Sequence, residues 1–256
     1  MRKLVMAVAM TAVMAALAAC TNLKAGFLSD EPKVADRRAL TGFERIELLG
    51  AIDVKYEQAD SFSVVVEAPA DVLAQVQTRV DGNRLVVNMK GRDKLLNLGT
   101  VSGKDITVYV TSPDLIGVAV RGSGDFDCKQ HLDTDNLDVT LKGSGDIDFK
   151  DVICDRIRVS LVGSGDVEVD RVQAQQSDVE LVGSGDIKMN QRQVSQTRIE
   201  LKGSGDISMR LDQCGTVDAR LLGSGDITLS GEVDDYRSFS RGSGDMNVKG
   251  LAVRKK

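Results

Sequence analysis

The chain has 256 residues, of which 42% are hydrophobic but only 4% aromatic, and it contains no tryptophan. A core must therefore be built from valine, isoleucine and leucine, which favour β-strands. The formal net charge is −5 at pH 7, and this acidic balance argues against a nucleic-acid partner.

The first 19 residues have the pattern of an export signal. Arg2 and Lys3 precede an uncharged apolar run that continues to Ala19. A short apolar run at the extreme N-terminus is typical of a secretory signal peptide rather than of a membrane-spanning helix. Loss of residues 1–19 would remove both basic residues and no acidic one, so the net charge would fall from −5 to −7.

The signal ends in Leu17-Ala18-Ala19-Cys20, which resembles the lipobox of bacterial lipoproteins. The resemblance implies cleavage before Cys20, lipidation of its thiol and attachment to a membrane. Thr21, which is not an aspartate, favours the outer membrane by resemblance to enterobacterial sorting. An ordinary signal peptide with a coincidental cysteine is the alternative. Residues 20–41 are mixed and polar, and we interpret them as a tether between the lipid and a domain over residues 42–256.

Residues 42–120 predict strands without a regular repeat. Asp81-Gly82 separates the strand-like runs 76–80 and 85–89, which indicates a hairpin. Ile106–Val110 predicts another strand. The stretch 47–54 looks like a degenerate copy of the repeat described next, at 180–187. We therefore expect residues 42–120 to form irregular coils that cap a regular stack.

Residues 121–256 contain a repeat of about 20 residues. The tetrapeptide Gly-Ser-Gly-Asp begins at Gly122, Gly143, Gly163, Gly183, Gly203, Gly223 and Gly242. The first and third residues after each aspartate are apolar, and a second alternating run precedes each motif, as in 137–141. Alternation with period two predicts strands with one buried face. We expect each unit to form one coil, with Gly-Ser-Gly at a corner and successive coils paired in parallel ~4.8 Å apart. The sequence therefore predicts an all-β parallel solenoid.

One charged column supports the parallel stack. The residue five positions before the first glycine of each motif alternates in sign from coil to coil. The column reads Asp138, Arg158, Asp178, Arg198, Asp218 and Arg237. Opposite charges on neighbouring strands are mildly favourable and help to set the register, although each exposed pair contributes little stability.

The aspartates of the motif should form a second column: Asp125, Asp146, Asp166, Asp186, Asp206, Asp226 and Asp245. Carboxylates ~4.8 Å apart in water repel by about 0.9 kcal/mol per neighbour. Three interpretations remain open. Each carboxylate could accept hydrogen bonds from backbone N–H groups or the serine hydroxyl of its own or the neighbouring corner, and the cations just before the corners, Arg121, Lys142, Lys202 and Arg241, could help to neutralise the column. The column could bind Ca²⁺, although the spacing differs from that of known calcium repeats. Two or three of the aspartates could catalyse the hydrolysis of sugars, a reaction that uses paired carboxylates.

Other reactive residues are few. Cys128, Cys154 and Cys214 lie among apolar positions, and we interpret them as small buried hydrophobic residues. His131 is the only histidine, and we expect an ordinary surface side chain. We find no metal-spaced cysteine and histidine set, and we expect no resident metal.

The residues 43–46, 52–54, 63–67 and 81–85, followed by serial Gly-Ser-Gly-Asp turns, resemble the head GIN domain of auto-transporter adhesins, a bacterial domain of unknown function. The resemblance covers about residues 43–250. It implies a right-handed parallel β-helix, frequent export as a lipoprotein and a role in adhesion. We therefore expect a non-catalytic adhesion, binding or structural module of the cell envelope, whose partner is an envelope protein or a glycan. The alternatives are a polysaccharide lyase or glycoside hydrolase, and a periplasmic partner of another envelope protein.

Overall fold

The computed structural model describes residues 32–90 and 106–254. The signal peptide and Cys20 therefore lie outside the described residues. Within these two ranges no helix is long and apolar enough to cross a membrane. The one helix within these ranges, α1, spans Ala70–Leu73. The strands are β1 (Lys33–Arg38), β2 (Arg45–Gly50), β3 (Asp53–Gln58), β4 (Ser63–Pro69), β5 (Val76–Asp81), β6 (Arg84–Met89), β7 (Thr107–Ser112), β8 (Gly117–Gly122), β9 (Phe126–Asp133), β10 (Asn136–Gly143), β11 (Ile147–Ile153), β12 (Arg156–Gly163), β13 (Asp166–Gln173), β14 (Gln176–Gly183), β15 (Asp186–Arg192), β16 (Gln196–Gly203), β17 (Asp206–Gly223), β18 (Ile227–Gly242) and β19 (Met246–Val253).

The predicted parallel β-solenoid is confirmed. One set of parallel strands runs β6, β2, β8, β10, β12, β14 and β16 and continues through the second halves of β17 and β18. A second set runs β7, β3, β9, β11, β13 and β15 and continues through the first halves of β17 and β18 to β19. Each coil therefore contributes one strand to each set.

The register follows the repeat. Strand β12 pairs with β14 so that Arg158 lies beside Asp178 and Gly163 beside Gly183. Inward positions form apolar columns that continue through five coils. One such column consists of the buried residues Leu141, Leu161, Leu181, Leu201 and Leu221. These columns stabilise the stack because burying each leucine side chain contributes about 1.5–3 kcal/mol.

The last described coil changes the chemistry of these columns. Ser238 and Ser240 occupy the positions that follow Ala219 and Leu221 in register, and both serines are exposed. Phe239, which lies between these two serines in the sequence, is 56% exposed. The two apolar columns thus end in hydroxyl groups, which can hydrogen-bond to water. A leucine at either position would expose its apolar side chain to solvent.

The N-terminal coils are stacked out of chain order. Strand β2 pairs with β6 on one side and with β8 on the other, and β3 lies in the same way between β7 and β9. The coil formed by β6 and β7 therefore lies on one side of the β2–β3 coil. The later coil that begins with β8 lies on the other side. The predicted hairpin is confirmed, because β5 and β6 pair antiparallel around Gly82 and Asn83.

Part of the predicted tether belongs to the domain. Residues 20–41 were predicted to be a tether, but Lys33–Arg38 forms β1, which pairs antiparallel with β4. Antiparallel pairing with β4 supplies partners for the backbone of β1, although most of its side chains are exposed. The domain therefore begins at Lys33 rather than at residue 42. The rest of the tether up to residue 31 lies outside the described residues.

Candidate functional site

The glycine corners position the aspartates. The first glycine of each motif has positive φ, for example +138° at Gly183, a conformation that glycine adopts more readily than other residues. The second glycine is required by close packing, because a Cβ atom at Gly185 would lie 2.0 Å from the carbonyl oxygen of Gly165 in the preceding coil. The corners can stack directly on one another only because both residues lack side chains.

All seven predicted aspartates lie in one column, with their residues exposed. Each carboxylate except the last accepts a hydrogen bond through Oδ1 from the backbone N–H of the aspartate in the next coil. The acceptors and donors are Asp125 and Asp146 (2.9 Å), Asp146 and Asp166 (3.1 Å), Asp166 and Asp186 (3.1 Å), Asp186 and Asp206 (3.1 Å), Asp206 and Asp226 (2.9 Å), and Asp226 and Asp245 (2.8 Å). We call this column the aspartate ladder.

The ladder has an eighth member in addition to the seven predicted aspartates. Asp53 accepts a hydrogen bond from the backbone N–H of Asp125 at 3.2 Å. Burial raises the pKa of the Asp53 carboxyl, and the charge of Asp125 adds to this, although the hydrogen bond acts in the opposite direction. The signal was present in the degenerate stretch Gly50-Ala51-Ile52-Asp53, which places an aspartate three residues after a glycine.

The hydrogen bonds explain how neighbouring carboxylates tolerate one another. A hydrogen bond to a charged group contributes about 1.5–3 kcal/mol, whereas repulsion between neighbours is about 0.9 kcal/mol before screening by salt. The expected help from cations before the corners is not found in the described residues. Arg121 pairs with Glu47, and Lys202 pairs with Glu180 and Glu200. These side chains project from the outer face of a strand, not from the corner.

The described residues contain no group of three or more histidine, cysteine, aspartate or glutamate side chains arranged to hold a metal ion. Within the ladder, one oxygen of each carboxylate up to Asp226 is already directed at a backbone N–H. The arrangement therefore has the geometry of a column that joins neighbouring coils.

The alternating charges lie in the predicted register from Asp138 to Arg237. Among the described residues only one neighbouring pair of this column forms an ion pair, Arg198 with Asp178 at 3.5 Å. Asp138 instead contacts Arg45 at 3.3 Å. Long exposed side chains have several partners of similar energy, so the column favours one register without fixing one set of pairs.

A shallow trough lies on the outer face of the second set of strands. Asp127, Asp148 and Glu168 occupy neighbouring positions of β9, β11 and β13. The trough encloses about 470 Å³ and is also lined by Lys129 and Lys150. Lys129 contacts Asp127 at 3.0 Å, and Lys150 contacts Asp170. Burial raises the pKa of the Asp148 carboxyl, and repulsion from Asp127 and Glu168 adds to the increase.

The remaining reactive side chains form no catalytic triad in the described parts of the chain. Nδ1 of His131 lies 3.0 Å from Oδ2 of Asp151, whose other oxygen is 3.5 Å from Nε of Arg171. No serine or cysteine in these ranges is hydrogen-bonded to His131. The three cysteines named above are buried and free. Burial raises the pKa of Cys128 to about 11 and that of Cys154 to about 12, so these thiols are poor nucleophiles at neutral pH.

Comparison with known proteins gives one family. Residues 42–213 and 179–255 match the family model described as "Putative auto-transporter adhesin, head GIN domain". No curated protein matches the chain.

Solved structures show the same fold. A "putative adhesin" from Bacteroides fragilis is 24% identical, with a TM-score of 0.74, and the match covers 87% of this chain and 99% of that one. A "putative adhesin" from Parabacteroides distasonis is 19% identical, with a TM-score of 0.69, over 85% and 97% of the two chains. A "putative lipid binding protein" from the same organism is 20% identical, with a TM-score of 0.66, over 85% and 97%.

Proposed function

The chain belongs to the head GIN domain family of auto-transporter adhesins, and we propose that it is a non-catalytic binding module of the cell envelope, held at the outer membrane by lipid on Cys20. The partner is an envelope glycan or protein. Membership in an adhesin family supports a binding role and an exported location. The lipobox-like residues before Cys20 support the anchor.

The observation that carries the binding role is that the repeated carboxylates are engaged in the architecture, which leaves the charged outer faces as the surface open to a partner. The most regular polar feature of the described chain, the aspartate ladder, repeats the same side chain at every corner and uses it to hold neighbouring coils together. A catalytic site needs one distinctive constellation, whereas a repeated column serves the architecture. A solenoid with broad, charged outer faces offers area for contact with a partner rather than a closed pocket for a small substrate.

Two measurements test this proposal. The first is labelling of the full chain with a radioactive fatty acid in a bacterial host, compared with Cys20→Ser. We expect the wild-type chain to carry label in the outer membrane and the variant to carry none; equal labelling would exclude the anchor. The second is binding of the purified full chain to a glycan array and to separated envelope proteins. Saturable binding to one class is expected, and the absence of any binding would contradict the proposed role.

The trough at Asp148 favours a second candidate, a polysaccharide lyase or glycoside hydrolase. It combines carboxylates with Lys129 and Lys150 on neighbouring coils, and Asp148 has a raised pKa. Catalysis would produce new reducing ends from an envelope polysaccharide, and Asp148→Asn would abolish that activity. If the wild-type chain yields no new ends, the binding role stands. A periplasmic partner role would show as binding to one envelope protein and to no glycan.

A further inference from the structure

The structure contains a second non-repeated cluster, at the opposite outer face from the trough. Here strands β6, β2, β8 and β10 lie side by side. A recess of about 160 Å³ opens on this face. We call it the arginine recess, and its walls and floor include Arg45, Arg84, Arg121, Glu47, Gly117 and Ala119.

A buried carboxylate holds two of these arginines in place. The side chain of Glu47 is only 11% exposed, and its two oxygens are bound by different partners. Oε2 accepts a hydrogen bond from Nη1 of Arg84 at 2.8 Å, and Oε1 lies 2.8 Å from Nε of Arg121. Arg84 and Arg121 come from the strands on either side of β2, so both guanidinium groups converge over one coil.

Glu47 remains ionised in this position. Although burial raises its pKa, the hydrogen bond from Arg84 and the charges of Arg121 and Arg84 more than compensate, and the pKa lies below its usual value. The anchor that orients the two arginines is therefore a fixed negative charge at neutral pH.

Small residues create the space. A Cβ atom at Gly117 would lie 2.6 Å from Nη1 of Arg45, so glycine allows that guanidinium to cross the strand. Ala119 follows Glu47 in register, and Thr140 and Ser160 continue the same outward column. The recess can hold several water molecules or one group with two or three oxygens.

The cluster has more positive than negative charge. One carboxylate, Glu47, binds two arginines. Arg45 contacts Asp138 with both Nη atoms at 3.3 Å, slightly longer than a usual N–H···O hydrogen bond. Each guanidinium has five N–H donors in a planar fork that suits carboxylate and phosphate groups. Arg84 and Arg121 each use one nitrogen on Glu47, which leaves the other donors of both residues directed at the recess or at solvent.

We propose that the arginine recess binds a carboxylate or phosphate group carried by an acidic saccharide. This inference deepens the proposed binding role and rests on it. A saccharide is favoured over the surface of an anionic membrane, because Glu47 and Asp138 flank the arginines and the chain as a whole is acidic. A planar anionic surface would meet these carboxylates as well, whereas one projecting group would meet only the guanidinium donors.

The test is titration calorimetry of the purified full chain with glucuronate, glucose 6-phosphate and uncharged glucose. We expect saturable binding of at least one of the two anions, with a Kd of about 1 mM for a single group, and none of glucose. Ala119→Leu fills the recess without changing charge and should weaken binding at least ten-fold. Arg84→Ala should do the same. The matched controls are Ser160→Leu in the same column and Arg158→Ala on the same face, and both should bind like the wild-type chain.

Several outcomes would overturn the inference. The first is the absence of saturable binding to either anion. The second is a loss of anion affinity in Arg158→Ala equal to that in Arg84→Ala. The third is wild-type anion affinity in an Ala119→Leu protein that also has the wild-type melting temperature. Binding to phosphatidylglycerol vesicles that is lost in Ala119→Leu, without binding to the sugars, would replace the saccharide by a lipid headgroup. If the anions do not bind but the chain still binds a glycan or envelope protein in the earlier assay, only the recess is excluded. If both assays are negative, the binding role fails as well.

Discussion

Oδ1 of Asp186 accepts a hydrogen bond from the backbone N–H of Asp206 at 3.1 Å, although the two residues are 20 positions apart in sequence. The same contact recurs along the corner. It joins the side chain of one coil to the backbone of the next, so the aspartates act between coils rather than within their own turn. The free energy of coil stacking should therefore depend on their ability to accept a hydrogen bond more than on their charge.

Asparagine and alanine should separate these two properties at Asp186. Asp186→Asn keeps an acceptor and removes repulsion from Asp166 and Asp206, so we expect unchanged or slightly higher stability. Asp186→Ala leaves the N–H of Asp206 without its partner and should lower the free energy of unfolding by about 1–2 kcal/mol. Urea unfolding at low and high NaCl measures both. Equal destabilisation by the two variants would show that the charge itself is needed.

The second glycine of a corner should be intolerant of any side chain. In Gly185→Ala the new Cβ would meet the Gly165 carbonyl oxygen, so neighbouring coils must separate locally. We expect a loss of about 3 kcal/mol in the free energy of unfolding, measured by thermal or urea denaturation followed by circular dichroism. Ser184→Ala in the same exposed corner is the control and should change little. A Gly185→Ala protein as stable as the control would contradict the close packing of the corners.

Calcium should not stabilise the ladder specifically. One oxygen of each carboxylate up to Asp226 already accepts a backbone hydrogen bond, and Ca²⁺ requires six to eight oxygen ligands. We expect the melting temperature in CaCl₂ to match that in NaCl of the same ionic strength. A rise with Ca²⁺ that a chelator reverses would instead support the cation-binding interpretation.

Asp148 and Glu47 should affect the pH dependence of stability in opposite directions. The pKa of Asp148 is raised in the folded chain, so its ionisation opposes folding at pH 7. Asp148→Asn should therefore be more stable than the wild type at pH 7, and the gain should disappear as the pH falls below the unfolded-state pKa of about 3.9. Urea titrations from pH 3 to pH 7 measure the difference. A gain that stays constant over this range would exclude the ionisation of Asp148 as its cause.

The pKa of Glu47 is lowered, so its contribution to stability is present above the unfolded-state pKa of about 4.3 and is lost as the pH falls through the folded value. Glu47→Gln should therefore be less stable than the wild type at pH 7 and should approach it in acid. The same titrations provide the measurement. A variant equal to the wild type at pH 7 would show that the two arginines gain nothing from the buried charge.

The regular coils were predictable because each is marked in the sequence. Every Gly-Ser-Gly-Asp fixes the position of a corner, and alternation on either side then fixes which side chains are buried. Although 47–54 was recognised as a degenerate copy, Asp53 was not counted with the seven aspartates because Ala51 and Ile52 replace the serine and second glycine of the motif. Strand β1 was missed because most of its residues are charged and its pairing depends on β4, which lies well beyond it in the sequence. The position of the β2–β3 coil between two coils formed later in the chain was not predicted, because stacking order leaves no local sequence pattern.

The arginine recess was equally invisible in the sequence. Glu47, Arg84 and Arg121 belong to three strands separated by dozens of residues, and charged residues at such spacing occur throughout the chain. Only the out-of-order stacking of β6, β2 and β8 brings them together.

The alternating column from Asp138 to Arg237 has a consequence for how such a gene changes length. Recombination between its similar segments would add or remove whole coils without disturbing the glycine corners. Loss of the coil that contains Arg158 would place Asp138 beside Asp178, whereas loss of two coils would restore a neighbour of opposite sign. The pair of coils, rather than the single repeat, is therefore the increment by which evolution could lengthen or shorten this protein at the least electrostatic cost.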